Sequence, residues 1–445
     1  MKIALSIAGS DSGAGAGIQA DLKMFSALGV YGCTAITAIT AQNTKQVAEI
    51  FEISAAMVEK QIRSVMTDMR PNAIKIGMVY STPIIDTVYL SLKKTSKIPT
   101  VLDPILAAGT GAKLLRTDAY KSFISKLIPL STIIAPNRME AEKLADIVIT
   151  TENDAIEAAK KIKQLGAENV IVKGGHFGST HVTDLLLDRK GNIIKFINPR
   201  LELKEVHGSG CNFSSAVTAC LAKGMTPTEA CKMANEYVHT AIRNALTIGR
   251  GLPIANPLSA IYRDASLYHT LSELEQAVER VCMLDGFYRL IPETQTNFAY
   301  ALVNAVDISD VAAVRGRIIK IDNSAAPASY VKFGASSHVA SAIIAYMSVN
   351  PGIRSAINIR FDERIVKVCK SLFSVASYDR TKEPKKIKRK EGSTVAWGIL
   401  AALAKNPKAE VIYHTGDIGK EPMITLFGRN PAKVTNKIKA ILKYY

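Results

Sequence analysis

Short β-rich runs alternate with longer amphipathic stretches through the first part of the chain. Ile3–Ala8, Cys33–Ile39, Ala73–Ile76, Thr100–Leu102, Ser131–Ala135 and Asn169–Val172 each predict a strand. Between them, Gly17–Leu28, Ala55–Met69 and Met139–Leu144 carry helical patterning. Repeated β-α order predicts a parallel sheet covered by helices on both faces, with ligands at the carboxyl ends of the strands. A helical stretch, Cys211–Ala245, leads into Gly249–Pro257, whose Gly and Pro density marks a boundary. Ser259–Leu284 then opens a new helical lead-in. The remainder has its own expected strands (Val311–Ile321, Ala356–Ile359, Val411–Tyr413) and helices (His338–Met347, Thr394–Ala404, Asn430–Leu442), and no internal repeat. Two α/β domains are therefore expected, over residues 1–256 and 270–445.

Composition narrows the class. The chain has 445 residues, 48% apolar and 21% charged, which is globular rather than disordered or fibrous and too long for one ordinary core. No run of 18 or more apolar residues is present, so no transmembrane helix is expected. The apolar start, Ile3–Ala8, is a first strand rather than a signal peptide. None of the six cysteines forms a C-x-x-C pair or a zinc-type cluster, which fits a reducing, cytoplasmic setting. The net charge is +17. A basic chain suits nucleic acid, anionic membrane or phosphorylated metabolites. No helix-turn-helix, RNP or zinc-finger pattern accompanies the charge, so neither nucleic acid nor membrane is an expected partner. The densest basic run, Lys382–Lys390, reads as a solvated loop or as a loop facing phosphate.

The candidate chemistry lies in separated motifs. His207-Gly208-Ser209-Gly210-Cys211 stands directly before an Ala-rich helix. Glycines allow close backbone approach, and a helix N-terminus offers free N–H groups to a transferring phosphoryl group. A plain turn with a buried cysteine fits the same residues. Ala135-Pro136-Asn137-Arg138-Met139-Glu140 follows a strand; Asn137 and Glu140 suit Mg²⁺-bound water and phosphate oxygens, or equally a helix cap. Gly9–Gly17 lacks both dinucleotide spacing and a Gly-Lys-Ser/Thr, and reads as a flexible substrate lid. Lys173, before Gly174-Gly175-His176, is placed to meet a nucleotide phosphate, or is an exposed residue before a turn. Asp103, at the end of Val-Leu-Asp-Pro, is placed for metal or proton handling.

Taken together, AGSDSGAGAGIQADLK, TAITAQNT, KIGM, VLDP, APNRMEAEKL, VKGGH and HGSGC resemble the ribokinase superfamily. More closely they resemble hydroxymethylpyrimidine/phosphomethylpyrimidine kinases, over Ile3 to about Ala245. The resemblance implies a ribokinase-like doubly wound sheet, ATP, Mg²⁺ and two successive phosphorylations. It implies Cys211 as the base, with a pKa lowered by the helix N-terminus, and Gly208 and Gly210 as the anion hole. It further implies Lys173 and Asn137 for ATP, Glu140 and Asp103 for the metal, and Asp21, Gln42 and Met78 for the pyrimidine. Two departures stand out. The lid reads Asp11-Ser12-Gly13-Ala14-Gly15 where Asp-Pro-Ser-Gly-Gly is usual, and Gly109 occupies a usual lysine position. Some relatives with this cysteine phosphorylate pyridoxal-type rings.

From about Ser272 onward, VAAVRGRI, FGASSHVASAI, ASYDRTKEP, EGSTVAWGI and YHTGDIGKEPMITLFGRNP resemble the ThiN family of thiamine-phosphate synthases. That family joins the pyrimidine diphosphate to thiazole phosphate and releases pyrophosphate. The resemblance implies catalytic roles for Arg317 and His338, which by residue type alone also suit a turn and a surface imidazole. A ligand-sensing second domain is the competing expectation, and a homo-oligomer is a further one.

Overall fold

The computed structural model describes residues 1–445 except 96, 108–110, 176–179, 203, 204, 304, 385–392 and 418. Gly109, His176 and most of the Lys382–Lys390 run therefore lie outside the described residues. The chain divides into two compact units, Met1–Tyr262 and Arg263–Tyr445, and the division falls inside the helix Ser259–Cys282.

The first unit is built on β1 (Ile3–Asp11), β2 (Tyr31–Gln42), β3 (Val47–Glu52), β4 (Ala73–Ile76), β5 (Thr100–Leu102), β6 (Ile133–Ile134), β7 (Asn169–Gly175), β8 (His181–Leu187) and β9 (Ile193–Pro199). They form one sheet in the order β3-β2-β1-β4-β5-β6-β7-β8-β9. Within it the consecutive pairs of β2-β1-β4-β5-β6-β7 are parallel. The edges depart from the all-parallel expectation: β3, β8 and β9 are antiparallel. The β2–β3 and β8–β9 connections are too short for a crossover helix, so only hairpins close there.

Period-two alternation decides which side chain enters which layer. Leu5, Ile7, Ile74, Ile76 and Leu102 face one core, shared with Val58 and Ile62 of the helix Ala55–Asp68 and Ile162 of Glu152–Gln164. Ala4, Ala73, Val101 and Ile133 face the other, shared with Met24 and Phe25 of the helix Gly17–Ala27 and Phe213 of Ser209–Ala222. Both faces of the sheet are covered, which is the doubly wound arrangement. Truncating Ile74, which is fully buried, would cost about 2–5 kcal/mol. The expected single helix over Cys211–Ala245 is two, Ser209–Ala222 and Pro227–Arg243; Gly224 with φ +92° and a Thr226–Glu229 capping box break it.

The order reverses beside β1: β2 lies on one side and β4 on the other. A crevice opens at such a switch point, outside the carboxyl ends of the strands.

The second unit carries β10 (Phe298–Ala301), β11 (Val311–Val314), β12 (Ile318–Ile321), β13 (Ser324–Pro327), β14 (Val331–Phe333), β15 (Ser355–Arg360), β16 (Val375–Ser377), β17 (Val411–His414) and β18 (Met423–Gly428). Seven of these strands form a mixed, mostly antiparallel sheet, β14-β11-β10-β15-β18-β17-β16, while β12 and β13 pair separately. The expected strand Val311–Ile321 is interrupted because Gly316 and Arg317 take φ of +75° and +74°. One sheet face packs on Leu274, Ile365 and Ile438, the other on Ile343 and Leu403. This unit is also α/β/α. Among the described residues no helix is long and apolar enough to cross a membrane.

Candidate functional site

In the first unit a cavity of about 1280 Å³ opens at the carboxyl ends of β1, β4, β5 and β7. That exceeds the usual range for one small ligand, about 300–1,000 Å³, and suits a nucleotide beside a second substrate. Its wall includes Asp11, Gln42, Lys75, Met78, Asp103, Asn137, Glu140, Lys173, His207, Gly208, Gly210 and Cys211.

Gly208 caps the helix Ser209–Ala222 with φ +80°, and a Cβ there would lie 1.8 Å from the Gly15 carbonyl oxygen. Only glycine permits that approach. The first-strand loop therefore rests on the turn that starts the helix. Asp11 fixes the loop from within. Its carboxylate accepts N–H groups from Gly13 (2.8 Å), Gly15 (3.1 Å) and Ala16 (2.8 Å), and His207 Nε2 lies 3.1 Å away. Burial pushes the Asp11 carboxyl up, but the His207 contact and the backbone donors outweigh it and leave it below its usual range. In this structure the expected lid is a pinned loop. His207 Nε2 also stands 3.2 Å from Gln42 Nε2, so one imidazole joins β2, the glycine loop and the helix start.

Lys75 is a charged residue in a strand whose four positions are all buried. It shares a face with Ala73, toward the helices Gly17–Ala27 and Ser209–Ala222, and its Nζ is ion-paired with Asp21. Asp21 also accepts Ser6 Oγ at 2.5 Å and Ser215 Oγ at 2.6 Å. Burial opposes the Lys75 charge, but Asp21, Cys211 and Asp103 outweigh it, and its pKa is raised. Asp21 is fully buried behind the cavity and is not part of its wall. Against the expected pyrimidine contact, Asp21 directs three of its acceptor sites to Ser6, Lys75 and Ser215.

Cys211 is buried, near Lys75, and Gly17 N–H bonds its sulfur. Burial pushes the thiol up to about 12, although Lys75 pulls it down. This corrects the expected lowering, because desolvation outweighs the donors around the sulfur. Lys173 Nζ lies 3.3 Å from Asp103 Oδ1 and 5.8 Å from the Phe213 ring centre. A Cβ on Gly210 would meet that ammonium at 3.4 Å, so the lysine reaches the helix start. Asn137 and Glu140 form a reciprocal cap: Glu140 N–H donates to Asn137 Oδ1 (2.9 Å) and Asn137 N–H to Glu140 Oε2 (2.8 Å). Burial raises the Glu140 carboxyl to about 7, with Lys173 opposing. Asp103 Oδ2 is buried without a hydrogen-bond partner. An orphaned carboxylate oxygen beside a second carboxylate fits a Mg²⁺ ion, which takes one or two carboxylates together with substrate phosphate.

In the second unit Arg317, on its left-handed turn, donates Nη1 to the Thr294 carbonyl. His338 begins the helix His338–Met347, its Nδ1 3.2 Å from Ser337 Oγ. Its imidazole is held below its usual pKa, first by loss of water and then by the charges of Arg317, Arg380 and Lys420. All three cations thus act electrostatically on His338. Behind them His414 is buried, and desolvation followed by Arg380 and Lys420 lowers it to about 4.

The family model for phosphomethylpyrimidine kinase matches residues 11–256, and that for thiamine-phosphate synthase ThiN matches residues 273–440. A bifunctional thiamine biosynthesis protein ThiDN of Methanocaldococcus jannaschii is 32% identical over 445 residues, covering 100% of this chain and 99% of the relative. The chain belongs to this two-domain family. A hydroxymethylpyrimidine/phosphomethylpyrimidine kinase of Rhizobium meliloti is 44% identical over 252 residues, covering 56% of this chain and 94% of the relative. A Bacillus subtilis pyridoxal kinase, solved as an ADP complex, aligns with TM-score 0.54 and 33% identity, over 59% of this chain and 99% of that one. The ribokinase-like fold of the first unit rests on that likeness.

Of the expected kinase residues, Gln42, Met78, Asp103, Asn137, Glu140, Lys173, Gly208, Gly210 and Cys211 share one cavity wall, and Asp21 stands behind it. Sequence reasoning did not single out Asp11, Lys75 or His207 as site residues. Each lay inside a quoted motif, and a lysine within an otherwise apolar strand was the available signal for Lys75. In the second unit Arg380 and His414 were likewise missed, inside ASYDRTKEP and YHTGDIGKEP, whereas Lys420 lies in the Gly/Lys turn Gly416–Pro422, which by residue type suits an anion.

Proposed function

We propose that the first unit phosphorylates 4-amino-5-hydroxymethyl-2-methylpyrimidine to its monophosphate and then its diphosphate, with ATP as donor. The second unit joins that diphosphate to thiazole phosphate, forming thiamine phosphate and releasing pyrophosphate. The observation that carries the reading is one cavity in which a glycine-opened helix start meets two buried lysines and two carboxylates. Full-length similarity to a bifunctional relative supports pairing the two reactions in one chain.

Phosphoryl transfer is mostly positioning and charge stabilisation. Gly208 seats the Gly15 loop against the turn that presents the N–H groups of the helix start, and Gly210 leaves room there for phosphate oxygens beside Lys173. Lys173 offers its ammonium to the same oxygens, and Asn137 borders them. Asp103 and Glu140 would hold Mg²⁺, whose bound charge supports the phosphate oxygens. Gln42 and Met78 wall the pyrimidine side. Cys211 takes the alcohol proton, with Lys75 stabilising the sulfur when it is an anion. Asp21 holds Lys75 in place. In the second unit Arg317 neutralises the diphosphate leaving group. His338, kept neutral, binds that group or moves a proton beside it. The protein is expected to work in the cytosol.

The test is purified protein with hydroxymethylpyrimidine, ATP, Mg²⁺ and thiazole phosphate, with thiamine phosphate read by mass. The expected result is product in wild type and separate losses in Cys211→Ala and Arg317→Ala. Pyrimidine diphosphate without thiamine phosphate would leave the kinase and make the second unit a sensor. No pyrimidine phosphorylation would refute the kinase assignment, with pyridoxal as the substrate to try next.

A further inference from the structure

A buried charge calls for a partner, and among the described residues Arg380 has no carboxylate within ion-pair distance. The residue is 9% exposed, and its Nε is buried with no hydrogen-bond partner. The one polar contact of its side chain among the described residues is with His414 Nε2, 3.5 Å from Nη1. His414 Nδ1 accepts Gly416 N–H at 3.1 Å, so the proton of a neutral ring sits on Nε2 and faces the guanidinium rather than receiving from it. No carboxylate among the described residues lies within 4.0 Å of Arg380. The nearby acidic residue, Glu383, is buried with neither carboxylate oxygen hydrogen-bonded, and its closest cation is Lys420 at 3.8 Å. Lys420 is partly exposed, and both cations act on His338. An uncompensated buried guanidinium is strongly destabilising unless an anion completes it.

We propose that Arg380, with Lys420, binds a phosphate group beside His338, so that the missing anion is supplied by the ligand. This rests on the synthase reading of the second unit and extends it to a specific anchor. The planar guanidinium suits phosphate oxygens, and His414 and Glu383 act as positioning residues that set Arg380 and Lys420 from behind. The shared chemistry is a phosphate ester or diphosphate, and two substrates of the proposed reaction carry one.

The molecule provides its own reporter. Trp397 is the single tryptophan of the chain and stands edge-on to Tyr378, with ring centres 6.2 Å apart. Tyr378 in turn packs on His414 at 5.1 Å. Phosphate held by Arg380 therefore reaches the indole through two ring contacts, while nucleotide phosphates in the first unit meet no tryptophan.

The experiment titrates the full-length protein with inorganic pyrophosphate, and separately with inorganic phosphate, following Trp397 emission. Wild type is expected to give a saturable change. Arg380→Gln and Lys420→Ala should each weaken it about 10- to 100-fold, and Arg380→Lys should retain part of the affinity. Tighter pyrophosphate than phosphate binding identifies the diphosphate end as the anchored group; the reverse order identifies the thiazole phosphate. Lys420 is partly exposed, so its variant keeps the test decisive if Arg380→Gln fails to fold. Unchanged affinity in folded Arg380→Gln and in Lys420→Ala overturns the proposal. So does full thiamine phosphate synthesis by Arg380→Gln, which would leave the synthase reading standing. Absence of synthesis in wild type, with Arg380-dependent pyrophosphate binding intact, would instead remove the synthase reading and keep the anchor.

Discussion

Replacing Asp21 with Asn separates a structural brace from a substrate contact. Both members of the Asp21–Lys75 pair have side chains with 0% exposure, and Ser6 and Ser215 complete the Asp21 shell. Removing one charge of a buried pair costs about 3–5 kcal/mol, because the other is left uncompensated. With an m-value of about 2.5 kcal/mol/M in urea, the midpoint of the first unit should fall by about 1–2 M. The assay is urea unfolding of the full chain by far-UV ellipticity, with Trp397 emission marking the second unit's transition. A pH series adds a sign test. In wild type the Lys75 pKa is raised, so its contribution is fully present below the unfolded value of about 10.4 and is lost only as pH rises beyond it. Without Asp21, burial depresses Lys75 in the folded state, and the unfolded chain binds the extra proton. The variant's deficit should therefore shrink toward pH 10, by up to about 1.4 kcal/mol per unit. Asp21→Ala with Lys75→Met should recover much of the stability without restoring kinase turnover. An Asn variant as stable as wild type, with only a raised KM for the pyrimidine, would refute the brace.

Gly208→Ala should abolish kinase activity, since its Cβ would overlap the Gly15 carbonyl at 1.8 Å and strain a φ of +80°; steady-state kinetics of a folded variant that retained turnover would oppose this. His207→Ala should free the loop that Asp11 pins, raising the KM for the pyrimidine more than it lowers kcat, with faster proteolysis near Gly13 as the structural readout. Kinase turnover should rise with pH between 7 and 9 in wild type and stay flat in the residual rate of Cys211→Ala, because burial keeps the thiol protonated up to about 12. The second unit should lose stability as pH falls from the unfolded histidine value of about 6.5 toward the folded His414 value of about 4. The unfolded chain takes up the proton that the folded imidazole refuses, worth about 3 kcal/mol in Trp397-detected unfolding, and His414→Gln should remove most of that slope.

The layers of the first unit were readable because its central strands are short and apolar throughout, and period-two alternation leaves little choice of face. Ala73–Ile76 shows the case: Ile74 and Ile76 fix one core, and Ala73 fixes the other. The antiparallel edges were not readable in the same way. β9 is mostly exposed, with Phe196 its one buried residue, and β8 is buried only over Asp184–Leu187, a run that marks a strand but says nothing of its direction. The break at Gly316–Arg317 was hidden for a different reason. Arginine at φ +74° is uncommon, and although Gly316 in VAAVRGRIIKI signals an end to the run, a single glycine does not show that the next residue also turns left-handed.

Site residues divide along the same physical line. Gly208 and Cys211 stand in a glycine-rich turn before a helix and Lys173 before a Gly-Gly pair at a strand end, so local spacing marked the motifs while the resemblance alone supplied the roles. Asp21 could not be placed that way, since its role depends on β4 bringing Lys75 beneath the helix Gly17–Ala27, 54 positions away in the chain. Once that pairing is known, the thiol's raised pKa follows as well. Lys75 is the cation nearest in effect to Cys211, but its charge is already answered by Asp21, and too little remains to offset burial of the sulfur. The second unit presents the opposite imbalance. Arg380 is buried with no carboxylate in ion-pair distance among the described residues, and His414 is kept neutral beside it. A saturated ion pair makes a rigid wall, whereas an unsaturated cation makes a place for an anion. The two units thus use buried charge for different ends: in the first it braces a catalytic turn, and in the second it stays open for the phosphate of a substrate.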